Sequence, residues 1–228
     1  MNNGDKKKIS VIIRCKDEER WIGHTIQSLL DFIHQPEIII INDGSKDQSL
    51  EISAHFKRDT DLKLDKINSY TDLKIVEMTN YTPGKALNLG VKNSSNDYIL
   101  IISAHCVIKK FDVDKVIENL NVYSAIFGKQ NPIWNGKRVK RHYVWSHFGE
   151  KEAVNMYSEL EKTYFFHNAF SVFKKSDLKE HPFNEKIVGK EDRYWANDII
   201  ANKNKIFYDP NLEVDHHYTK NGNTWKVV

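Results

Sequence analysis

Tyr98-Ile-Leu-Ile-Ile-Ser-Ala-His-Cys-Val107 is the stretch around which the chain reads. Ile99 to Ile102 is a short, wholly apolar run, the pattern of a strand buried on both faces of a mostly parallel sheet. It stops abruptly at Ser103, Ala104, His105 and Cys106, which are small or chemically capable. In open α/β sheets ligands bind just beyond the carboxyl ends of strands. Those residues are therefore candidates, although a lone histidine there can equally cap a strand. Other polar groups fall at matching strand ends along the chain, and they raise His105 above that plainer role.

Upstream the pattern repeats. Ile9 to Ile13 predicts a first strand, running into the charged set Arg14-Cys15-Lys16-Asp17-Glu18-Glu19. Trp21, Ile22, Ile26, Leu29, Leu30 and Ile33 recur at helical spacing, and Pro36 ends that helix. Glu37 to Ile41 predicts a second strand, opening into Asn42-Asp43-Gly44-Ser45-Lys46-Asp47. Gly44 permits a tight turn, and Ser45 or Asp47 can cap a helix that runs to about Phe56. Polar His55 to Asp72 predicts helix tail and loop. Lys74 to Met78 predicts a third strand, Asn80 to Gly84 a turn, and Lys85 to Val91 a helix carrying Asn88. Strand and helix alternate up to about residue 105, which predicts a parallel α/β sheet.

Downstream the alternation fades. Val113 to Leu120 predicts a helix, and Tyr123 to Phe127 a strand that ends in Gly128-Lys129-Gln130-Asn131-Pro132. Ala153 to Glu161 is assigned as helical and aromatic Tyr164 to Phe173 as strand. A helix over Arg193 to Ala201 starts at the acidic pair Glu191-Asp192. Ile206 to Tyr208 predicts a strand closed by an Asp209-Pro210 turn. Val214-Asp215-His216-His217-Tyr218 closes the chemistry.

At 228 residues the chain suits one domain with a sizeable core. A net charge of +3 is too small to argue for nucleic acid. Cys15 and Cys106 make a disulfide framework unsuited and fit a reducing cytosol. No apolar run is long enough to span a membrane and no export signal is seen, so a cytoplasmic protein is expected. The basic cluster Lys137 to His142 reads as a solvated face, or as a contact for phosphate or an anionic bilayer surface.

In this order the motifs resemble the family 2 glycosyltransferases of GT-A fold. Asp17-Glu18-Glu19 stands where the family has Asn-Glu-Glu. Asn42-Asp43-Gly44-Ser45-Lys46-Asp47 stands for Asp-Asp-Gly-Ser-x-Asp, and Gly84, Asn88 and Gly90 for Gly-x-x-x-Asn-x-Gly. Glu191, Asp192 and Trp195 match an acidic pair opening a helix, and His216 a later histidine. The departure is Ser103-Ala104-His105 in place of the metal-binding Asp-x-Asp. A bacterial subset is similar there, with Ser-Ala-His-Cys and then Gly-Arg-Gln-x-Pro, matched by Gly128-Lys129-Gln130-Asn131-Pro132.

The resemblance implies a Rossmann-like nucleotide-sugar-binding half (about 9–107) and a smaller acceptor-binding half (about 108–228). It implies an inverting transfer from a nucleotide sugar, UDP-linked by family frequency, to a saccharide or lipid-linked acceptor in bacterial surface-polysaccharide synthesis. Arg14, Lys16, Glu18, Asp43, Gly84, Lys85, Asn88, Ser103, Ala104 and His105 then fall to the donor. Gln130, Arg193 and Trp195 fall to the acceptor. Asp192, at a helix start whose field favours the carboxylate, is the base, and Glu191 orients it or the acceptor. The plainer alternatives are that Asp43 only orders its turn, Asp192 only caps its helix and Trp195 only fills the core.

For charge neutralisation a divalent metal, Mn2+ or Mg2+, bridging the diphosphate and held by His105 and His216 is the favoured reading. His105 and His216 suit Mn2+ better than Mg2+, while Lys85 and Arg193 could act with no metal. His217 and both cysteines are read as structural. Two other functions compete: an inactive nucleotide-sugar-binding module, and another nucleotide-sugar-dependent transferase or hydrolase on the same fold.

Overall fold

The computed structural model describes residues 8–57, 71–139 and 143–222. Strand β1 (Ile9–Cys15), helix α1 (Ile22–Phe32), β2 (Glu37–Asn42), α2 (Ser49–Ala54), β3 (Asp72–Glu77), α3 (Pro83–Asn93) and β4 (Tyr98–Ser103) alternate as the sequence predicts. Then come β5 (Cys106–Lys110), α4 (Val113–Asn119), β6 (Ala125–Trp134), β7 (Lys137–Arg138), a 3-10 turn (Tyr143–His147), β8 (Ala153–Val154), β9 (Tyr157–Ser158) and β10 (Thr163–Tyr164). β11 (Phe170–Lys174), α5 (Lys175–Glu180), α6 (Glu191–Ala201) and β12 (Ile206–His217) complete the described elements.

The main sheet has the order β3-β2-β1-β4-β11-β6-β12-β5. β1, β2, β3 and β4 are mutually parallel. β11 runs antiparallel to both β4 and β6, and β12 runs parallel to β6. The carboxyl ends of β1, β2, β4 and β12 therefore share one edge with the amino end of β11. That edge is where ligands bind in open α/β sheets.

Both faces of the sheet are covered, which is why its central strands are continuous apolar runs. One face buries Val11, Ile13, Ile38 and Leu100 with Ile22, Ile26 and Leu29 of α1. The other buries Ile12, Ile39, Ile99 and Ile101 with Leu87 of α3 and the aromatic set Phe127, Phe166, Phe173 and Trp195. Gly90 lets α3 lie close on β1, since a Cβ there would sit 2.5 Å from an Ile12 methyl.

Four expectations change. Residues 153–161 are not helical: Asn155 has φ 51°, Ala153 and Val154 pair with β12, and Asn155 Oδ1 accepts the Ile206 N–H. β6 continues through Gly128 to Trp134 because β12 pairs along it to Ile133. Asp209-Pro210 is not a chain-reversing turn but a bulge inside β12, where pairing jumps from Asp209 to Glu213. Leu212, in that bulge, is buried against Gly128. The strand expected from Tyr164 begins only at Phe170.

Candidate active site

The two loops leaving β1 and β2 are stitched together by side chains that cap each other's backbone. Asp17 N–H donates to Ser45 Oγ, Glu18 N–H to Ser49 Oγ and Glu19 N–H to Asp47 Oδ2. In return Asp17 Oδ1 accepts Lys46 N–H and Glu19 Oε2 accepts Gln48 N–H. Polar residues at these strand ends thus build one rigid rim, with Asp17 held at φ 51°. On that rim Lys16 Nζ donates to Asp43 Oδ2 at 2.8 Å, and this bond raises the Lys16 pKa.

The opposite wall comes from α6. Gly189 (φ 101°) and Lys190 (φ 57°) are both left-handed, and this sharp entry turns Glu191 and Asp192 inward. Arg14 Nη1 bonds Glu191 Oε1 at 2.9 Å, tying β1 to α6. Burial raises the Glu191 pKa against the pull of Arg14. Asp192 is buried, with Oδ1 accepting the Arg193 N–H at 2.9 Å. Its Oδ2 accepts Arg193 Nη1 at 2.9 Å and the Asn168 N–H at 3.3 Å. Arg193 also holds Glu161 and the Phe166 carbonyl and lies over the Phe165 ring.

Between rim and helix lies a cleft of about 590 Å³. Of the residues predicted from sequence, Arg14, Lys16, Glu18, Asp43, Ser103, Ala104, His105, Glu191, Asp192, Arg193 and His216 line it. Its floor carries a chain of hydrogen bonds. Glu18 Oε1 meets His105 Nδ1 at 3.1 Å, and His105 Nε2 meets His216 Nε2 at 3.0 Å. His216 Nδ1 meets Gln130 Oε1 at 2.9 Å, and Gln130 Nε2 meets His167 Nδ1 at 3.0 Å. Burial, and then the neighbouring rings, lower the His216 pKa well below its ordinary value and keep it neutral. Burial brings His167 down to about 3.

Five predicted residues lie outside the cleft lining. Gln130 is wholly buried behind the histidines. Trp195 is core: its ring centroid lies 5.2 Å from that of Phe173 and 5.6 Å from that of Phe183, and its Nε1 donates to the His181 carbonyl. Gly84 and Asn88 hold the segment leading to α6. A Cβ on Gly84 would lie 2.3 Å from the Asn184 oxygen, and Asn88 bonds both the N–H and the C=O of Phe183. Lys85 sits in the first turn of α3, where Thr82 Oγ1 caps its N–H. Cys15 and Cys106 are free and buried. Sequence reasoning missed Tyr81, Glu161, His167, Asn168 and Lys190, which lie in irregular segments with no periodic signal.

The histidine pair is the place in the cleft where a cation could be held. His105 Nδ1 faces the Glu18 carboxylate and His216 Nδ1 the Gln130 carboxamide oxygen, which leaves the two Nε2 atoms facing each other at 3.0 Å, the way a ligating imidazole is held through its other nitrogen. Among the described residues no group of three or more His, Cys, Asp or Glu could hold a metal ion. The cations of the lining, Arg14, Lys16, Lys190 and Arg193, are each paired with a carboxylate.

Comparison with known proteins agrees with this architecture. The model of "Glycosyl transferase family 2" matches residues 10–181. The chain is 28% identical over 206 residues to the poly-beta-1,6-N-acetyl-D-glucosamine synthase of Staphylococcus epidermidis, covering 85% of this chain and 43% of that protein. It is 28% identical over 201 residues to an uncharacterized glycosyltransferase of Rickettsia conorii, covering 87% and 31%. It thus spans less than half the length of these relatives. The crystal structure of S. aureus TarS 1-349 in complex with UDP-GlcNAc superposes with a TM-score of 0.70 at 20% identity, covering 97% of this chain and 61% of that one.

Proposed function

The chain belongs to glycosyl transferase family 2, and from that premise we propose that it moves a sugar, with inversion, from a UDP-sugar to a saccharide or lipid-linked acceptor in surface-polysaccharide synthesis. The observation that carries this reading is the cleft at the carboxyl edge of the sheet. It faces a buried carboxylate on α6, Asp192, toward the β1 and β2 loops.

Each part has its chemistry. Asp43 accepts from a pyrimidine N–H, and Glu18, whose buried Oε2 has no partner among the described residues, accepts from a ribose hydroxyl. The acceptor hydroxyl gives its proton to Asp192 as its oxygen forms the new bond to the anomeric carbon. The bond from that carbon to the diphosphate breaks on the opposite face, and the electron pair leaves with the diphosphate. One displacement inverts the centre. Arg193 and Asn168 hold the Asp192 carboxylate in place, and Glu191 with Arg14 locks α6 to the donor side. His105 and His216 would hold a divalent cation, which would neutralise charge on the leaving diphosphate.

N-acetylglucosamine is the sugar this reading favours, because one relative is a poly-beta-1,6-N-acetyl-D-glucosamine synthase and TarS is seen in complex with UDP-GlcNAc. No described helix is long and apolar enough to cross a membrane. A peripheral contact with anionic lipid on the cytoplasmic side belongs to this proposal through exposed Lys137 and Arg138. The rest of that cluster, Lys140 to His142, lies outside the described residues. A screen of nucleotide sugars for nucleotide release tests the reading. UDP release from UDP-GlcNAc above that from GDP- or CMP-sugars is expected, and no release from any donor would leave the inactive binding module.

A further inference from the structure

Asn168 stands at the junction of the two halves of the cleft. The following residue, Ala169, accepts the Ser103 N–H at 3.0 Å, which locks this segment to the end of β4. Its own N–H reaches Asp192 Oδ2. The residue is 1% exposed and borders the cleft. Its Oδ1 accepts the Ser171 hydroxyl at 3.3 Å, but its Nδ2 meets no acceptor among the described residues. A carboxamide nitrogen carries two donors, and buried donors are almost always satisfied. An unpaired one in a cleft wall points to a ligand atom.

We propose that Asn168 is a positioning residue whose Nδ2 donates to a neutral sugar oxygen, hydroxyl or carbonyl, and so holds that sugar against Asp192. The neighbouring carboxylate argues for a neutral acceptor atom. A phosphate in that place would face the Asp192 charge, while a hydroxyl or an acetamido carbonyl would not. This rests on the glycosyl-transfer reading. The oxygen belongs either to the transferred sugar or to the acceptor, and the two are separable.

The test uses Asn168→Ala and Asn168→Ser, which keep the backbone N–H to Asp192, with Ser171→Ala as a control that removes only the Oδ1 partner. Calorimetry gives affinities for UDP and UDP-GlcNAc, and UDP release gives kcat and KM, with water or a β-1,6-linked N-acetylglucosamine oligomer as acceptor. If the transferred sugar is held, Asn168→Ala weakens UDP-GlcNAc about tenfold and leaves UDP unchanged, in keeping with the usual worth of one hydrogen bond. If the acceptor is held, both affinities stay and turnover falls about tenfold or acceptor KM rises as much. Ser171→Ala changes neither. Unchanged affinities and turnover in folded Asn168 variants would overturn the proposal and leave Asn168 a structural partner of Ser171. A wild-type chain that binds neither UDP nor UDP-GlcNAc would instead overturn the underlying reading, and this proposal with it.

Discussion

His105 Nε2 and His216 Nε2 lie 3.0 Å apart, joined to each other across 111 positions of sequence. The resemblance leads one to expect these two residues near each other, as metal ligands. Their nearness is real: Glu18 and Gln130 hold the Nδ1 atoms, and the two Nε2 atoms face each other. Two imidazoles bring no negative charge and no third ligand stands beside them among the described residues, so Mn2+ should bind the nucleotide-free protein only weakly by calorimetry and more tightly when UDP is present. His105→Ala should destabilise the fold by about 2 kcal/mol in urea unfolding, because the buried Glu18 loses a charged hydrogen bond. Equal Mn2+ binding in wild type and His216→Ala with UDP present would remove the ligand role.

Glu37 gives a pH prediction away from the site. Its carboxylate accepts from Ser10 Oγ, Ser95 N–H, Ser95 Oγ and Lys74 Nζ at the amino end of β2. Burial works to raise its pKa, but these donors outweigh it and hold the group at about 2 against an ordinary 4.5. A depressed carboxyl adds stability that is complete above the unfolded value and is lost as pH falls from about 4.5 toward 2. Glu37→Gln should unfold at lower urea than wild type at pH 7, and the gap should narrow across that window. A gap independent of pH would show that Glu37 packs rather than pairs.

Gly84→Ala tests how α3 positions the catalytic helix. The added Cβ meets backbone, the Asn184 carbonyl at 2.3 Å, so the segment carrying Asn184 and Glu185 must move. A loss of about 1–3 kcal/mol in stability is expected, the usual range for overpacking. A fall in turnover with little change in nucleotide affinity should accompany it. Wild-type stability in this variant would mean that the segment is loosely held.

The fold was legible because apolar runs, glycines and charged strand ends recur in order through β4. Asp43, His105 and Asp192 fall at the ends of regular elements, where residue type and place make them candidates and the order of the family motifs singles them out. Trp195 was misjudged as an acceptor contact because one turn into a helix either face is available, and only tertiary packing against Phe166, Phe173 and Phe183 decides. Gln130 lies within a strand whose length depends on pairing with β12, a non-local fact. Asn168 and Glu161 sit in irregular chain, where no periodicity speaks for them.

The strand β7 offers two exposed cations, Lys137 and Arg138. Each is worth about 1 kcal/mol beside an anionic surface. Flotation with phosphatidylserine-containing vesicles at low salt should carry the protein up, and reversal of both charges should reduce it. No flotation of wild type would leave this strand a solvated edge.

The central claim is that Asp192 takes the acceptor proton. Asp192→Asn keeps the size of the side chain and an oxygen for the bonds from Asn168 and Arg193, but it cannot accept that proton. Calorimetry with UDP-GlcNAc paired with a turnover assay on the same preparation is the most direct measurement. The account predicts donor affinity within about twofold of wild type and turnover lower by at least ~100-fold, the usual worth of a positioned base. Turnover near that of wild type with intact donor binding would contradict it.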